Sequence, residues 1–264
     1  MSYLLVTNDD GVDSPSLIPF MRALSSLAPV RAVVPARERS WIGKAITRFE
    51  DIKVETITRE GFEIHVASGF PADCVQLGVH SLFDDRPQMV VSGINVGLNH
   101  GLAFLLSSGT VGAAIEGWIA DVPSVAFSTG DLDDHGAWGE YAWTASPEAL
   151  WDRAAQLSAD VLGSIRDAGF PQNADVVSVN FPHNADTATP RVVTELALTG
   201  YDSIFRAAEP GRYVHDFSGS LRVPDEMKGT DLDELASGNV TITPIRLTRS
   251  APIDDAFRAA TERR

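Results

Sequence analysis

The sequence predicts an α/β fold, a Rossmann-like three-layer core on a mostly parallel sheet with a smaller β-rich C-terminal extension. Three observations predict it. Short apolar runs, among them Leu4-Leu5-Val6, Val30 to Val34, Gln88 to Ser92 and Val122 to Ser128, end in turn residues or proline, as buried parallel strands do. Segments with helical apolar spacing stand between them. From Thr189 the texture becomes turn-broken and β-rich.

The first strand, Leu4 to Val6, runs into Thr7-Asn8-Asp9-Asp10-Gly11. Asp13-Ser14-Pro15 then opens a helix, with Ser14 as its cap and Pro15 in its first position. Leu17, Phe20, Met21, Leu24 and Leu27 recur at helical spacing until Pro29 stops them. Val30 to Val34, closed by Pro35, completes a βαβ unit whose crossover is right-handed. Gly-x-Gly-x-x-Gly is missing after the first strand, which argues against a dinucleotide. Asp51 to Thr58 and Phe62 to Val66 both alternate and read as a β-hairpin. Ser68 to Asp73 turns into a helix with Pro71 near its start. A helix with Val111, Ala113, Ala114, Ile115 and Trp118 follows Ser107-Ser108-Gly109-Thr110. Gly130 to Tyr141 reads as an acidic loop, and Pro147 to Ala168 as a long amphipathic helix. Asp175 to Asn180 returns to strand. In the extension, Val192 to Leu198 and Asn239 to Thr243 are strand candidates, Tyr201 to Thr230 a hairpin or arm, and Asp231 to Ala236 a short helix. The charged segment after Asp254 reads as a short helix or a frayed end.

Composition narrows the function. Across 264 residues, 36 Asp and Glu against 21 Lys and Arg give a net charge of −15. Such a surface repels a nucleic-acid backbone, so duplex binding is not expected. A small phosphorylated substrate stays open, because a bound metal dominates its own site. The single cysteine, Cys74, excludes an intrachain disulfide and a cysteine-cluster metal site. Without a basic apolar leader or a long charge-free apolar stretch, the expectation is a soluble cytoplasmic protein, not a membrane one.

The chemistry-bearing residues fall in loops expected at one sheet edge. Ligands of open α/β sheets bind beyond the carboxyl ends of the strands. Asp9 and Asp10 stand there, and their oxygens suit a hard divalent cation; an ordinary Asp-Asp-Gly turn is the competing reading. Ser40, in the polar loop after the second strand, can complete an oxygen shell or be a plain loop serine. Arg37, Arg39 and Lys44 can face phosphate or solvent. Asp73 suits the positive end of its helix, and Cys74 beside Val75 reads as buried. Asn95 and Asn99, in the glycine-rich stretch from Gly93 to Gly101, offer a metal-binding amide oxygen and a phosphate partner, or serve as turn asparagines. Ser107-Ser108-Gly109-Thr110 at a helix start reads as an anion nest, or as N-capping by a serine.

Taken in order, Thr7-Asn8-Asp9-Asp10-Gly11, Arg39-Ser40, Pro71-Ala72-Asp73-Cys74-Val75, Val91-Ser92-Gly93-Ile94-Asn95, Ser108-Gly109-Thr110-Val111-Gly112-Ala113-Ala114 and Ile242-Thr243-Pro244 resemble the SurE family of metal-dependent nucleoside-monophosphate phosphatases. The resemblance implies a Rossmann-like core over residues 1–185. It also implies a β-rich extension over 186–264 that contains an oligomerisation arm, and dimers or tetramers that exchange C-terminal segments. One divalent cation, magnesium or manganese, would be held by Asp9, Asp10, Ser40 and Asn95. Asp9, Asp10 and Asn95 would be catalytic, and Asn99, Ser108, Gly109 and Thr110 would bind phosphate. The chain departs from the family pattern at Trp41-Ile42, Phe70 and Leu102 to Ser107, and the family's aromatic and glycine-rich segment is loosely echoed by Tyr213 to Ser220.

The activity expected is hydrolysis of nucleoside 5′-monophosphates, with 3′ esters also open, by a metal-activated water. A noncatalytic nucleotide-binding module on the same fold is the alternative. A nicotinamide oxidoreductase has only the βαβ order in its favour.

Overall fold

The computed structural model describes residues 2–217, 221–223, 226–247, 250 and 255–262. In chain order the core elements are β1 (Leu4–Thr7), α1 (Leu17–Leu24), β2 (Val30–Pro35), β3 (Val54–Arg59), β4 (Phe62–Ala67), α2 (Pro71–His80) and β5 (Met89–Val96). They continue as α3 (Gly101–Ser107), α4 (Gly109–Ile119), β6 (Ser124–Gly130), α5 (His135–Thr144), α6 (Glu148–Ala168) and β7 (Val176–Pro182). The extension adds β8 (Arg191–Val193), β9 (Gly200–Tyr201), β10 (Phe205–Glu209), β11 (Arg212–His215) and β12 (Leu221–Arg222). It ends with α7 (Asp231–Ala236), β13 (Val240–Ile245) and α8 (Asp255–Thr261).

One nine-stranded sheet runs in the order β3-β4-β2-β1-β5-β6-β7-β13-β8. The run from β4 to β7 is parallel throughout, and β3 and β13 pair antiparallel with β4 and β7. From β1 the chain moves first to β2 on one side, and later to β5 on the other. The order therefore reverses at β1, and the crevice between the ends of β1 and β5 is the topological switch point.

Strand alternation builds the two faces. Leu4 and Val6 point one way, into a core with Phe20, Met21 and Leu24 of α1 and Leu157 and Leu162 of α6. Tyr3 and Leu5 point the other way, toward Val75 and Val79 of α2 and Ala113 of α4. Helices cover both faces, and the predicted three-layer α/β core is what forms.

Some elements differ from expectation. α1 starts at Leu17, later than the predicted cap at Ser14, because Ser14 Oγ bonds Ser16 Oγ at 3.0 Å and Ser16 Oγ donates to Ile94 O at 2.7 Å. The residues from Gly130 to Tyr141 are not all loop. Asp134 Oδ1 accepts the Ala137 N–H at 2.9 Å, and α5 follows with Trp138 and Ala142 buried. The strand expected over Val192 to Leu198 is shorter, since Ala197 N–H turns away to donate to Asp231 Oδ1 at 2.9 Å. The arm holds the hairpin β10–β11 and the short pair β9–β12; its residues 218–220 and 224–225 lie outside the described residues. The expected boundary after residue 185 falls between β7 and β8, and the sheet runs across it through β13 and β8.

Candidate active site

The turn after β1 is fixed by its own asparagine. Gly11 N–H donates to Asn8 Oδ1 and Asn8 Nδ2 donates to Gly11 O, each at 3.0 Å. Gly11 has φ +86°, and a Cβ there would lie 2.7 Å from the Arg37 carbonyl carbon. This position needs glycine for both conformation and space. Arg39 N–H donates to Asp9 O at 2.7 Å, which ties the loop after β2 to the same turn.

Asp9 and Asp10 are 3% and 4% exposed. Burial raises Asp9 from the ordinary 3.8 to about 6, against the pull of the Thr110 hydroxyl, which donates to Asp9 Oδ1. Asp10 is pushed well above the usual range, first by burial and then by the charge of Asp9; the Val96 N–H, donating to Asp10 Oδ2 at 2.9 Å, opposes this. No cation contributes to either carboxyl among the described residues. Hydrogen bonds from the protein offset only part of the burial of each carboxylate, and the pair shares an uncompensated negative field.

Asp9, Ser40, Asn95, Asn99 and Ser108 line one cavity of about 190 Å³. Asp10 does not line that cavity; it borders a cleft of about 280 Å³ together with Arg37 and Glu38. Asn95 donates its amide nitrogen to Gly97 O at 2.7 Å, leaving the amide oxygen for a ligand. Ser40 is exposed and donates to Glu38 Oε1 at 2.6 Å, so its oxygen lone pairs stay free. Gly109 and Thr110 stand behind Asp9. A Cβ on Gly109 would meet Asp9 Cβ at 2.8 Å, so helix α4 comes up against the aspartate only because that residue is bare.

The residues expected at phosphate have protein partners as well. Asn99 Nδ2 donates to Ser128 Oγ at 2.8 Å, and its N–H donates to Asn180 Oδ1 at 2.7 Å. Ser108 Oγ accepts the Val111 N–H at 3.1 Å, so it caps α4. Asp73 takes the Phe70 N–H at 2.8 Å and the Thr47 hydroxyl at 2.6 Å, and so holds a loop as well as its helix. Cys74 is buried, and burial raises its thiol. Arg37, Arg39 and Lys44 are not among the residues lining the cavity.

The far wall of the cavity is aromatic, made of Trp41, Phe104, His135 and Phe217. Ring centroids lie 5.9 Å apart for Trp41–Phe104 and 5.3 Å for Trp41–Phe217. Phe70 is elsewhere, under the Arg39 guanidinium at 4.9 Å. Behind the wall His100 is buried with no hydrogen-bond partner for either ring nitrogen among the described residues, and burial lowers it to about 3. Sequence reasoning passed over His135, Glu38 and Phe217. The first was hidden in a presumed loop and the last in the arm, while Glu38 needed only its spacing of two from Ser40.

Among the described residues no three His, Cys, Asp or Glu side chains converge as a metal-binding group. Asp9, Ser40 and Asn95 meet at one cavity, whereas Asp10 lines the cleft with Glu38.

A family model described as Survival protein SurE matches residues 4–202. The chain belongs to the SurE family. It is 35% identical over 256 residues to the 5′-nucleotidase SurE of Methanocella arvoryzae, covering 95% of this chain and 94% of that one. It is 35% identical over 263 residues to the 5′-nucleotidase SurE of Methanopyrus kandleri, covering 99% and 97%. The crystal structure of the SurE protein from Aquifex aeolicus superposes with a TM-score of 0.69 at 27% identity, covering 98% of this chain and 97% of that one. Each of these matches spans nearly the whole length of both chains. No single helix among the described residues is long and apolar enough to cross a membrane.

Proposed function

We propose that this chain is a divalent-metal-dependent phosphomonoesterase that releases phosphate from nucleoside 5′-monophosphates, with 3′ esters as further substrates. The observation that carries the reading is the pair Asp9 and Asp10, buried side by side at the switch point without a cationic partner among the described residues. Buried charges of one sign are stable only when something compensates them. The donor set fits a hard cation in kind: the Asp9 and Asp10 carboxylates, the Asn95 amide oxygen and the Ser40 hydroxyl. It offers no nitrogen or sulfur ligand, which favours magnesium or manganese over zinc.

When bound, such a cation supplies Lewis-acid activation of water and neutralises charge on the phosphoryl oxygens. The residues do the rest. Asp9 and Asp10 would hold the cation, and one of them would take the proton of the attacking water. The Asn99 side chain and Ser108, which line the cavity, would orient the phosphate, and Gly109 and Thr110 would act from behind Asp9. The aromatic wall of Trp41, Phe104 and Phe217 offers a face to the base, and stacking of this kind is worth about 1–3 kcal/mol per base.

The protein is proposed to be cytoplasmic and to work as a homodimer or homotetramer assembled through the extension. Phosphate release from a panel tests the function: the ribonucleoside monophosphates in 5′ and 3′ forms, glycerol phosphate, an aryl phosphate and tripolyphosphate. Specificity constants higher for nucleotides than for glycerol phosphate are expected. A tenfold preference for glycerol phosphate, about 1.4 kcal/mol, removes the nucleotidase assignment and leaves a phosphatase. Nucleotide binding with no turnover of any ester leaves the noncatalytic module.

A further inference from the structure

Residues 36–47 carry Ser40 and Trp41 into the cavity wall without forming helix or strand. A segment with no ladder of its own must be fixed by what it touches. Arg39 N–H ties it to Asp9 O on the cavity side, and a second set of contacts fastens it to α2 and α4. Glu116 of α4 has a side chain only 4% exposed; Lys44 Nζ reaches its Oε2, and Gln76 Nε2 of α2 donates to its Oε1. Beside this pair, Gly43 N–H donates to Ser107 O at 2.8 Å. Gly112 of α4 sits directly under the loop, where a Cβ would stand 2.5 Å from Gly43 O and 2.9 Å from Lys44 Cα. At the end of the loop, Thr47 N–H and hydroxyl donate to Asp73 at 3.0 and 2.6 Å.

We infer that Glu116, acting through Lys44, is a positioning residue that fastens the 36–47 loop onto α4 and thereby sets Ser40 and Trp41 in the cavity wall. Neither Glu116 nor Lys44 lines the cavity, and the loop is the element that joins Lys44 to Ser40 and Trp41. An acid this deeply buried is costly to leave unpaired, so it holds the lysine, and the lysine holds the loop. Gly112 acts in the same direction by letting the backbones meet. What Ser40 and Trp41 do for metal and nucleotide rests on the proposed function; the attachment of the loop does not.

The test uses the full chain with three variants, Lys44→Met, Glu116→Gln and Gly112→Ala, and Ser40→Ala as a control. Gly112→Ala displaces the loop without changing a charge, and Lys44→Met keeps the Gln76–Glu116 bond between α2 and α4. Amide hydrogen exchange in residues 40–47 should rise about tenfold in all three, with β1 and β5 unchanged. Manganese affinity, read by electron paramagnetic resonance, should fall about tenfold. The nucleotide KM should rise while kcat at saturation holds. Lys44→Met combined with Glu116→Gln should do no more than the worse single change, because groups in contact are not additive.

Wild-type exchange in residues 40–47 of Lys44→Met overturns the inference. So does faster exchange confined to α2 and α4, which means the acid serves helix packing alone. A loosened loop with unchanged manganese affinity and unchanged KM overturns it too. Wild-type manganese affinity in Ser40→Ala removes Ser40 from the proposed ligands, and the loop claim is then judged on exchange and KM.

Discussion

The Thr110 hydroxyl donates to Asp9 Oδ1, from the second residue of α4 to the turn after β1. The threonine therefore serves the aspartate, and reaches phosphate only through it. The bond favours the ionised carboxylate. Thr110→Ala should raise the Asp9 pKa further and move the acidic limb of the rate profile to higher pH, while Thr110→Ser should restore it. Hydrogen bonds to charged groups are worth about 1.5–3 kcal/mol, so manganese should also bind about tenfold more weakly or worse. An unmoved acidic limb in Thr110→Ala would show that this bond does not tune the site.

Metal-free protein should gain stability when acidified. Asp9 and Asp10 titrate above their unfolded values, because the folded state buries and crowds their charges. The folded state then binds more protons than the unfolded one between pH 3.8 and about 6, where Asp9 titrates. Stability falls as pH rises through that window, where the Asp9 penalty develops, and Asp10, raised well above its ordinary value, adds its own as it ionises. Asp10→Asn removes the repulsion and should melt higher than the parent in chelator at pH 7, and no higher with saturating manganese. Calorimetry in both conditions checks this, and a lower melting temperature for Asp10→Asn in chelator contradicts it.

Trp41 and Phe70 should separate. Trp41 faces the cavity and Phe70 lies under Arg39. Trp41→Ala should raise KM for nucleoside monophosphates by a factor matching about 1–3 kcal/mol of stacking, with little change for glycerol phosphate. Phe70→Ala should leave the nucleotide KM near that of the parent. Equal effects of Trp41→Ala on both substrates would mean that the ring only packs the loop.

Light scattering should give at least twice the 28.4 kDa of one chain at micromolar concentration. The β10–β11 hairpin stands out from the core with Phe205 57% and Tyr213 68% exposed, more apolar surface than an isolated hairpin favours. Shortening the hairpin should lower the mass. A monomer in the parent protein removes the proposed assembly.

What could be read in the sequence follows from periodicity. Leu4-Leu5-Val6 and Val30 to Val34 announce strands because burial on both faces leaves them no polar position. Leu150 to Ile165 announces α6 because one face alone is apolar. The turn at Asp9 and Asp10 was legible from its place at a strand end. α5 was not, because Asp131, Asp133 and Asp134 read as loop chemistry, and only Trp138 and Ala142 pack its inner side. The true partners of Ser108 and Thr110 were also hidden. An anion nest and a capped helix start use the same residues, and nothing in a linear pattern says that Asp9 will come within reach of Thr110.

The central claim is that Asp9 and Asp10 hold a divalent cation on which phosphate release depends. The most direct measurement is phosphate release from adenosine 5′-monophosphate by exhaustively chelated protein, before and after manganese or magnesium is returned, beside Asp9→Asn and Asp10→Asn. The account predicts no release without metal, recovery on its return, and loss of most activity in both variants at saturating metal with the fold intact. Full activity in the chelated protein, or near-parental rates in either variant, would contradict it.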